Sequence, residues 1–147
     1  MLGKLLVVTV AVLIALATTS VSSEPAEAFG ERPFVKMFNA NVGVIQRAWD
    51  RFDAIQSPRQ FMRVLREIAR AESRIIRWLR THRATACQEP WVKLMIRRGI
   101  AARKSWKGAA RDFRDLRFNA AGRKIERGAR LHVGMVNAGN RMVATCP

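Results

Sequence analysis

From Val92 to Leu116 the apolar positions fall three and four residues apart without a fault: Val92, Met95, Gly99, Ala102, Trp106, Ala109, Phe113 and Leu116. This spacing keeps one stripe of a 3.6-residue helix apolar, whereas a strand changes face at every residue. The same rhythm recurs along the chain. Phe38, Asn41, Ile45, Ala48, Phe52 and Ile55 define a first helix from Pro33 or Phe34 to Ile55. Phe61, Val64, Ile68, Ala71, Ile75 and Trp78 define a second, ending near His82. A third starts at Pro90, and a last seam runs through Phe118, Ala121, Ile125, Gly128, His132, Met135, Gly139 and Met142. No segment alternates as a strand does, and no Asn-Gly or Asp-Gly hairpin turn occurs. The pattern predicts an all-α fold, an up-and-down bundle of four to five long amphipathic helices.

Local signals place the breaks. In Ser57-Pro58-Arg59-Gln60, Ser57 is suited to cap a helix, Pro58 fits its first position, and Gln60 completes a capping box. The third seam loses phase after Leu116, which predicts a turn near Asn119, itself a capping residue; one kinked helix is the alternative. Gly99, Ala102, Gly128 and Gly139 lie on seams where small residues let helices approach closely.

The N-terminus has the layout of a secretory signal peptide. Lys4 precedes an apolar run from Leu5 to Ala17, and small and polar residues follow to Ser23. The run is short of the roughly 20 apolar residues that span a bilayer. Residues 1–23 are therefore expected to be removed, with cleavage after Ser23 or, as runner-up, after Ala28, leaving one domain over 29–147. Export agrees with the cysteine usage. Cys87 and Cys146 are the only two, and an oxidising route makes one disulfide the economical reading. Cys87 lies just past the second helix and Cys146 just past the fourth, which an up-and-down bundle brings to one pole. Closing that loop is worth about 4 kcal/mol in the chain-entropy model. Two free thiols are the alternative. A zinc site from His82, Cys87, His132 and Cys146 would match no standard ligand spacing, so neither metal nor cofactor is expected.

The chain of 147 residues carries 27 Lys+Arg against 11 Asp+Glu, a net charge of +16. Without residues 1–28 it has 26 basic and 9 acidic residues, a charge of +17. Such an excess calls for an anionic partner. Export argues against nucleic acid and leaves lipid headgroups or acidic glycoprotein. Part of the charge is ordered: Arg59, Arg63, Arg66, Arg70, Arg74 and Arg77 step by threes and fours opposite the apolar seam of the second helix. Only Glu67 is close enough along that helix to relieve them, through Arg63 and Arg70. A solvated helix face normally mixes signs. Arg also offers phosphate, sulfate and carboxylate a flat fork of donors. The third helix adds Lys93, Arg97, Arg98, Arg103, Lys104, Lys107, Arg111 and Arg114. Trp78 and Trp106 fall on seams and read as core. Trp49 and Trp91 fall beside seams, and with Phe29 and Phe34 they are the candidates for contact with a membrane interface.

No nucleophile–base pair is visible, nor a Gly-x-Ser-x-Gly elbow, a phosphate-binding Gly loop or His-Glu-x-x-His. Glu72 borders its seam with no Arg at three or four residues' distance. It reads either as a general acid or, more simply, as the partner of an Arg on another helix. His132 reads as a core histidine. A hydrolase using Glu72 or Glu126 is the enzymatic alternative; the chain is expected to be non-enzymatic.

Ile76-Arg77-Trp78-Leu79-Arg80-Thr81-His82, Ile96-Arg97-Arg98 and Gly122-Arg123-Lys124-Ile125, with the phasing over residues 33–143, resemble the acrosomal sperm proteins of abalone and related snails. That family contains lysin and a fusagenic paralogue. The resemblance implies a closed bundle of about five helices, stored in the acrosome and released at fertilisation. It also implies action without bond cleavage, by opening the egg vitelline envelope or by fusing sperm and egg membranes. The chain has no Tyr and two Cys, unlike lysin, which favours the fusagenic branch. The expected partners are anionic membrane lipids or an egg-coat glycoprotein, and a homodimer is left open. A cationic antimicrobial protein is a further alternative.

Overall fold

The computed structural model describes residues 29–146. The expected signal peptide, residues 1–23, lies outside them. Four helices follow in order: α1 (Glu31–Asp50), α2 (Pro58–Thr81), α3 (Glu89–Arg114) and α4 (Phe118–Thr145), with a short 3-10 turn at Phe52–Ala54 between the first two. The fold is the expected all-α bundle, at the lower end of four to five helices, and the described residues contain no strand. Chain neighbours pack together: α1 on α2, α2 on α3, α3 on α4.

Two links set the polarity. The backbone N–H of Phe29 donates to Arg83 O at 2.9 Å, which ties the start of α1 to the end of α2. The Cys87–Cys146 disulfide, with Cα atoms 5.7 Å apart, ties the α2–α3 connection to the end of α4. One pole thus gathers the start of α1, the end of α2, the start of α3 and the end of α4, as an up-and-down course requires.

Phase predicts the core. Ile68, Ala71, Ile75, Met95, Ala102, Trp106, Ala109 and Met135 are fully buried. Two glycines set the closest approaches. A Cβ on Gly128 would meet the Trp106 ring at 2.7 Å, and one on Gly139 would meet Phe38 Cζ at 2.9 Å. Each gap is filled by an aromatic ring from another helix: α4 packs closely on α3, and the Phe38 side chain of α1 reaches across to its backbone.

The breaks differ in detail from expectation. Ser57 Oγ accepts from Gln60 N at 3.3 Å, but the Gln60 carboxamide oxygen accepts from Gln56 N rather than from the cap's own N–H. The α3–α4 turn comes earlier than Asn119, at 115–117, and Asn119 is inside α4. Its geometry is a Schellman motif: Arg117 N donates to Asp112 O at 2.8 Å and Leu116 N to Phe113 O at 3.1 Å. Leu116 takes the left-handed conformation at φ 59°, where glycine is usual. Beneath it, buried Asp112 receives Lys124 at 2.5 Å and Arg117 at 2.6 Å, which pins the start of α4 to the end of α3.

Candidate anionic-surface site

The site is built on α2. Its buried stripe (Val64, Leu65, Ile68, Ala69, Ala71, Glu72, Ile75, Ile76 and Leu79) takes a little under half the circumference. What is left faces outward. Between residues 63 and 80 every exposed residue is an arginine: Arg63, Arg66, Arg70, Arg74, Arg77 and Arg80. Arg59 extends the row at the N-terminal end. From Arg59 to Arg77 the row is about 27 Å long at 1.5 Å per residue.

The expected relief of this row is absent. Glu67 turns away from Arg63 and Arg70 and pairs with Arg51, from the end of α1, at 2.7 Å. Arg74 is held by a neutral group, donating to Asn41 Oδ1 on α1 at 2.7 Å. Among the described residues, Arg59, Arg63, Arg66, Arg70 and Arg77 make no ion pair. Arg59, Arg63, Arg66 and Arg70 also bound a surface recess of about 220 Å³.

The α3 cations divide. Arg97, Lys104 and Arg111, seven residues apart, are exposed. Arg98 is not part of that surface. It is half-buried and donates to the Gly134 carbonyl on α4 at 2.6 Å, where the missing side chain of Gly134 makes room for the guanidinium. Arg103 reaches Ser73 Oγ on α2 at 3.3 Å. Between α2 and α3 lies a cleft of about 450 Å³. Its apolar lining is half-buried Met62 and Ala110 over buried Leu65, Ala69 and Trp106, and its rims carry Arg66 and Arg70 on one side and Lys107, Arg111 and Arg114 on the other. No carboxylate lines it.

The expected membrane-contacting aromatics are placed otherwise. Phe29 and Phe34 are buried, because the start of α1 folds onto the disulfide pole. Phe29 meets the Trp78 ring edge-on at 4.9 Å and Phe34 stacks on Phe38 at 5.0 Å. Trp49 and Trp91 are half-buried. Trp49 stacks on Phe52 at 4.7 Å and meets Trp106 edge-on at 5.4 Å. Trp91 packs on the core cluster at the disulfide pole. The large apolar side chains that stand out among the described residues are Leu116, 74 % exposed, and Phe118, 55 % exposed. Both sit at the α3–α4 turn, flanked by Arg114 and Arg117. Phe118 caps a run of ring contacts through Phe113 and Phe61 to Phe52. Sequence reasoning missed this tip, although the loss of phase after Leu116 marked it.

Glu72 is fully buried, and its partners are not arginines. Its Oε2 accepts the Trp106 indole N–H at 2.9 Å. His132 Nδ1 lies 3.2 Å from Oε1, off the hydrogen-bonding direction, so neither of those two atoms has a hydrogen-bond partner. Burial pushes the Glu72 carboxyl above its ordinary value; His132, Trp106 and the charge of Arg103 offset part of that. Glu126 is exposed on α4. Cys87 and Cys146 are joined to each other, so they are not available to a zinc ion. No described helix is long and apolar enough to cross a membrane.

No known family model, curated protein or solved structure matches the chain.

Proposed function

We propose that the chain is an exported, non-enzymatic protein that docks on anionic membranes through the α2 arginine row and promotes their apposition and fusion. The acrosomal, fertilisation setting rests on the resemblance given above. The single observation that carries the reading is the outward surface of α2. From residue 63 to 80 every exposed residue is arginine; Glu72 is buried, and half-buried Glu67 pairs with Arg51 rather than within the row. Arg near an anionic bilayer contributes about 1 kcal/mol per residue, so five or six engaged side chains supply ample attraction at low salt. The exposed cations of α3 at Arg97, Lys104 and Arg111 give the rigid bundle further charged surface, which suits holding two bilayers together. Leu116 and Phe118 offer a short apolar wedge beside Arg114 and Arg117. Glu72, the one buried carboxylate with a raised pKa, is sealed from solvent by Trp106 and His132, which favours a structural role over catalysis.

One observation favours a second reading. Among the described residues the exposed large apolar side chains are the two at the turn, and the arginine row itself contains none. A row of that kind also suits a polyanionic glycoprotein of the egg coat, bound without insertion. A lipid-mixing and leakage assay on vesicles with and without anionic lipid, run beside dissolution of isolated egg envelopes, separates the two. Mixing confined to anionic vesicles supports the membrane reading. Envelope dissolution with intact vesicles selects the other.

A further inference from the structure

We infer that the α2–α3 cleft is a discrete binding site for one anionic phospholipid, with the phosphate between the two cationic rims and the glycerol and first methylenes on the apolar floor. The inference deepens the membrane reading and rests on it.

Three observations converge. The rims are cationic on both sides: Arg66 and Arg70 from α2 face Lys107 and Arg111 from α3 across one opening. None of these four makes an ion pair among the described residues, so their donors are not already committed to a carboxylate. The floor between them is apolar: Met62 and Ala110 are its half-buried surface, over buried Leu65, Ala69 and Trp106. At about 450 Å³ the cleft falls within the range of small-molecule sites.

Charge and shape together narrow the ligand. Two opposed pairs of cations around a recess suit a phosphate, which arginine binds through its planar fork. An apolar floor contributes nothing to free phosphate, which would keep its hydration shell there. It does contribute to a phosphate carrying methylenes, at roughly 0.8 kcal/mol for each one buried. A zwitterionic headgroup would bring its own cation against the rims. The cleft therefore selects an anionic glycerophospholipid over both inorganic phosphate and a choline lipid. Beneath that floor Trp106 is fully buried and held by its bond to Glu72.

The test uses monomeric dihexanoyl phosphatidic acid, titrated calorimetrically into the folded protein below its micelle concentration. Dihexanoyl phosphatidylcholine and inorganic phosphate are the comparison ligands. Saturable one-to-one binding of the phosphatidic acid is expected, at least tenfold tighter than either comparison. Ala110→Phe fills the cleft without changing any charge, and is expected to lose that binding while keeping its attachment to anionic vesicles. Lys107→Gln/Arg111→Gln alters only exposed side chains and is expected to weaken monomer binding about tenfold. Equal binding by wild type and by both variants, or phosphate binding as tightly as the lipid, overturns the cleft. Vesicle binding without saturable monomer binding overturns it too, and leaves the surface reading standing. Monomer binding without vesicle binding keeps the cleft and removes the surface reading.

Discussion

The indole N–H of Trp106 donates to Glu72 Oε2 at 2.9 Å, in the middle of the bundle, where both residues are fully buried. This bond joins α3 to α2, and His132 of α4 stands 3.2 Å from the other carboxylate oxygen. Three helices therefore meet on one ionisable group. Trp106→Phe removes the donor and leaves the carboxylate short of a partner, at a cost of about 2–3 kcal/mol in urea unfolding. A cost under about 0.5 kcal/mol would show that the bond is not holding the junction.

The same group makes stability depend on pH. Burial raises the Glu72 pKa in the fold above the ordinary 4.5. Its contribution is fully present below that unfolded value and is lost as pH rises through the folded one. The groups facing it are His132 on α4 and Trp106 and Arg103 on α3. Relative to Glu72→Gln, the wild type is expected to lose stability progressively above about pH 4.5, the ordinary carboxyl value. Urea midpoints of both proteins from pH 4 to 8 check this. Parallel profiles would contradict it. Asp112 acts in the opposite direction. Lys124, with help from Arg117, lowers its pKa, so its contribution is present above 3.8 and lost as pH falls through the folded value.

Glycine substitutions in α4 should divide by what they face. Gly128→Ala sets a methyl group 2.7 Å from the Trp106 ring and should lose about 1–2 kcal/mol to overpacking, after the gain in helix propensity. Gly122→Ala meets nothing within 4 Å and should gain about 0.5–1 kcal/mol. Thermal unfolding of the two variants reads both signs. The same sign at both positions would contradict the packing described here.

Leu116 holds a left-handed backbone at φ 59° with its side chain 74 % exposed. Such a conformation costs an L-residue roughly 1–2 kcal/mol, and the exposed side chain recovers little by burial. Leu116→Gly should therefore stabilise the fold by about 0.5–1 kcal/mol, once the entropy of glycine is allowed for. If the turn is a membrane wedge, the same substitution should weaken anionic-vesicle binding several-fold. A more stable variant with unchanged vesicle binding would remove the wedge from the mechanism.

Reduction of Cys87–Cys146, or Cys87→Ser/Cys146→Ser, should lower stability by about 4 kcal/mol, since the bridge closes a loop of 59 residues. Cys87 is exposed, so reductant has access to it. A loss under 1 kcal/mol by denaturant titration would mean that the pole is held by its packing alone.

Much of this architecture was legible in the sequence, for a specific physical reason. The three-and-four rhythm of Val92 through Phe113 is the record of a buried stripe, so it predicted both the helix and its inward face. Ser57-Pro58 likewise marked the start of α2 with local chemistry. The cysteine pairing followed once the helix order was known. What periodicity does not encode is partnership across helices. Nothing local to Glu67 said that it would choose Arg51 over Arg63 and Arg70. Nothing local to Glu72 named Trp106 and His132. The burial of Phe29 and Phe34 depends on Phe29 N meeting Arg83 O, a contact between positions 54 residues apart. The exposed tip at Leu116 depends on a backbone conformation that leucine seldom adopts.

The account rests on the position of charge on α2 rather than on its total, and charge-matched variants test that directly. Arg59, Arg63, Arg70 and Arg77 on α2 are changed to Gln in one protein. Arg123, Arg127, Arg130 and Arg141, exposed on α4, are changed to Gln in another, so both carry the same net charge. Sedimentation with anionic vesicles at low salt is then compared with wild type. The account predicts at least a tenfold loss of binding for the α2 variant and less than a threefold loss for the α4 variant. Equal losses in the two proteins would contradict it, because binding would then follow net charge alone.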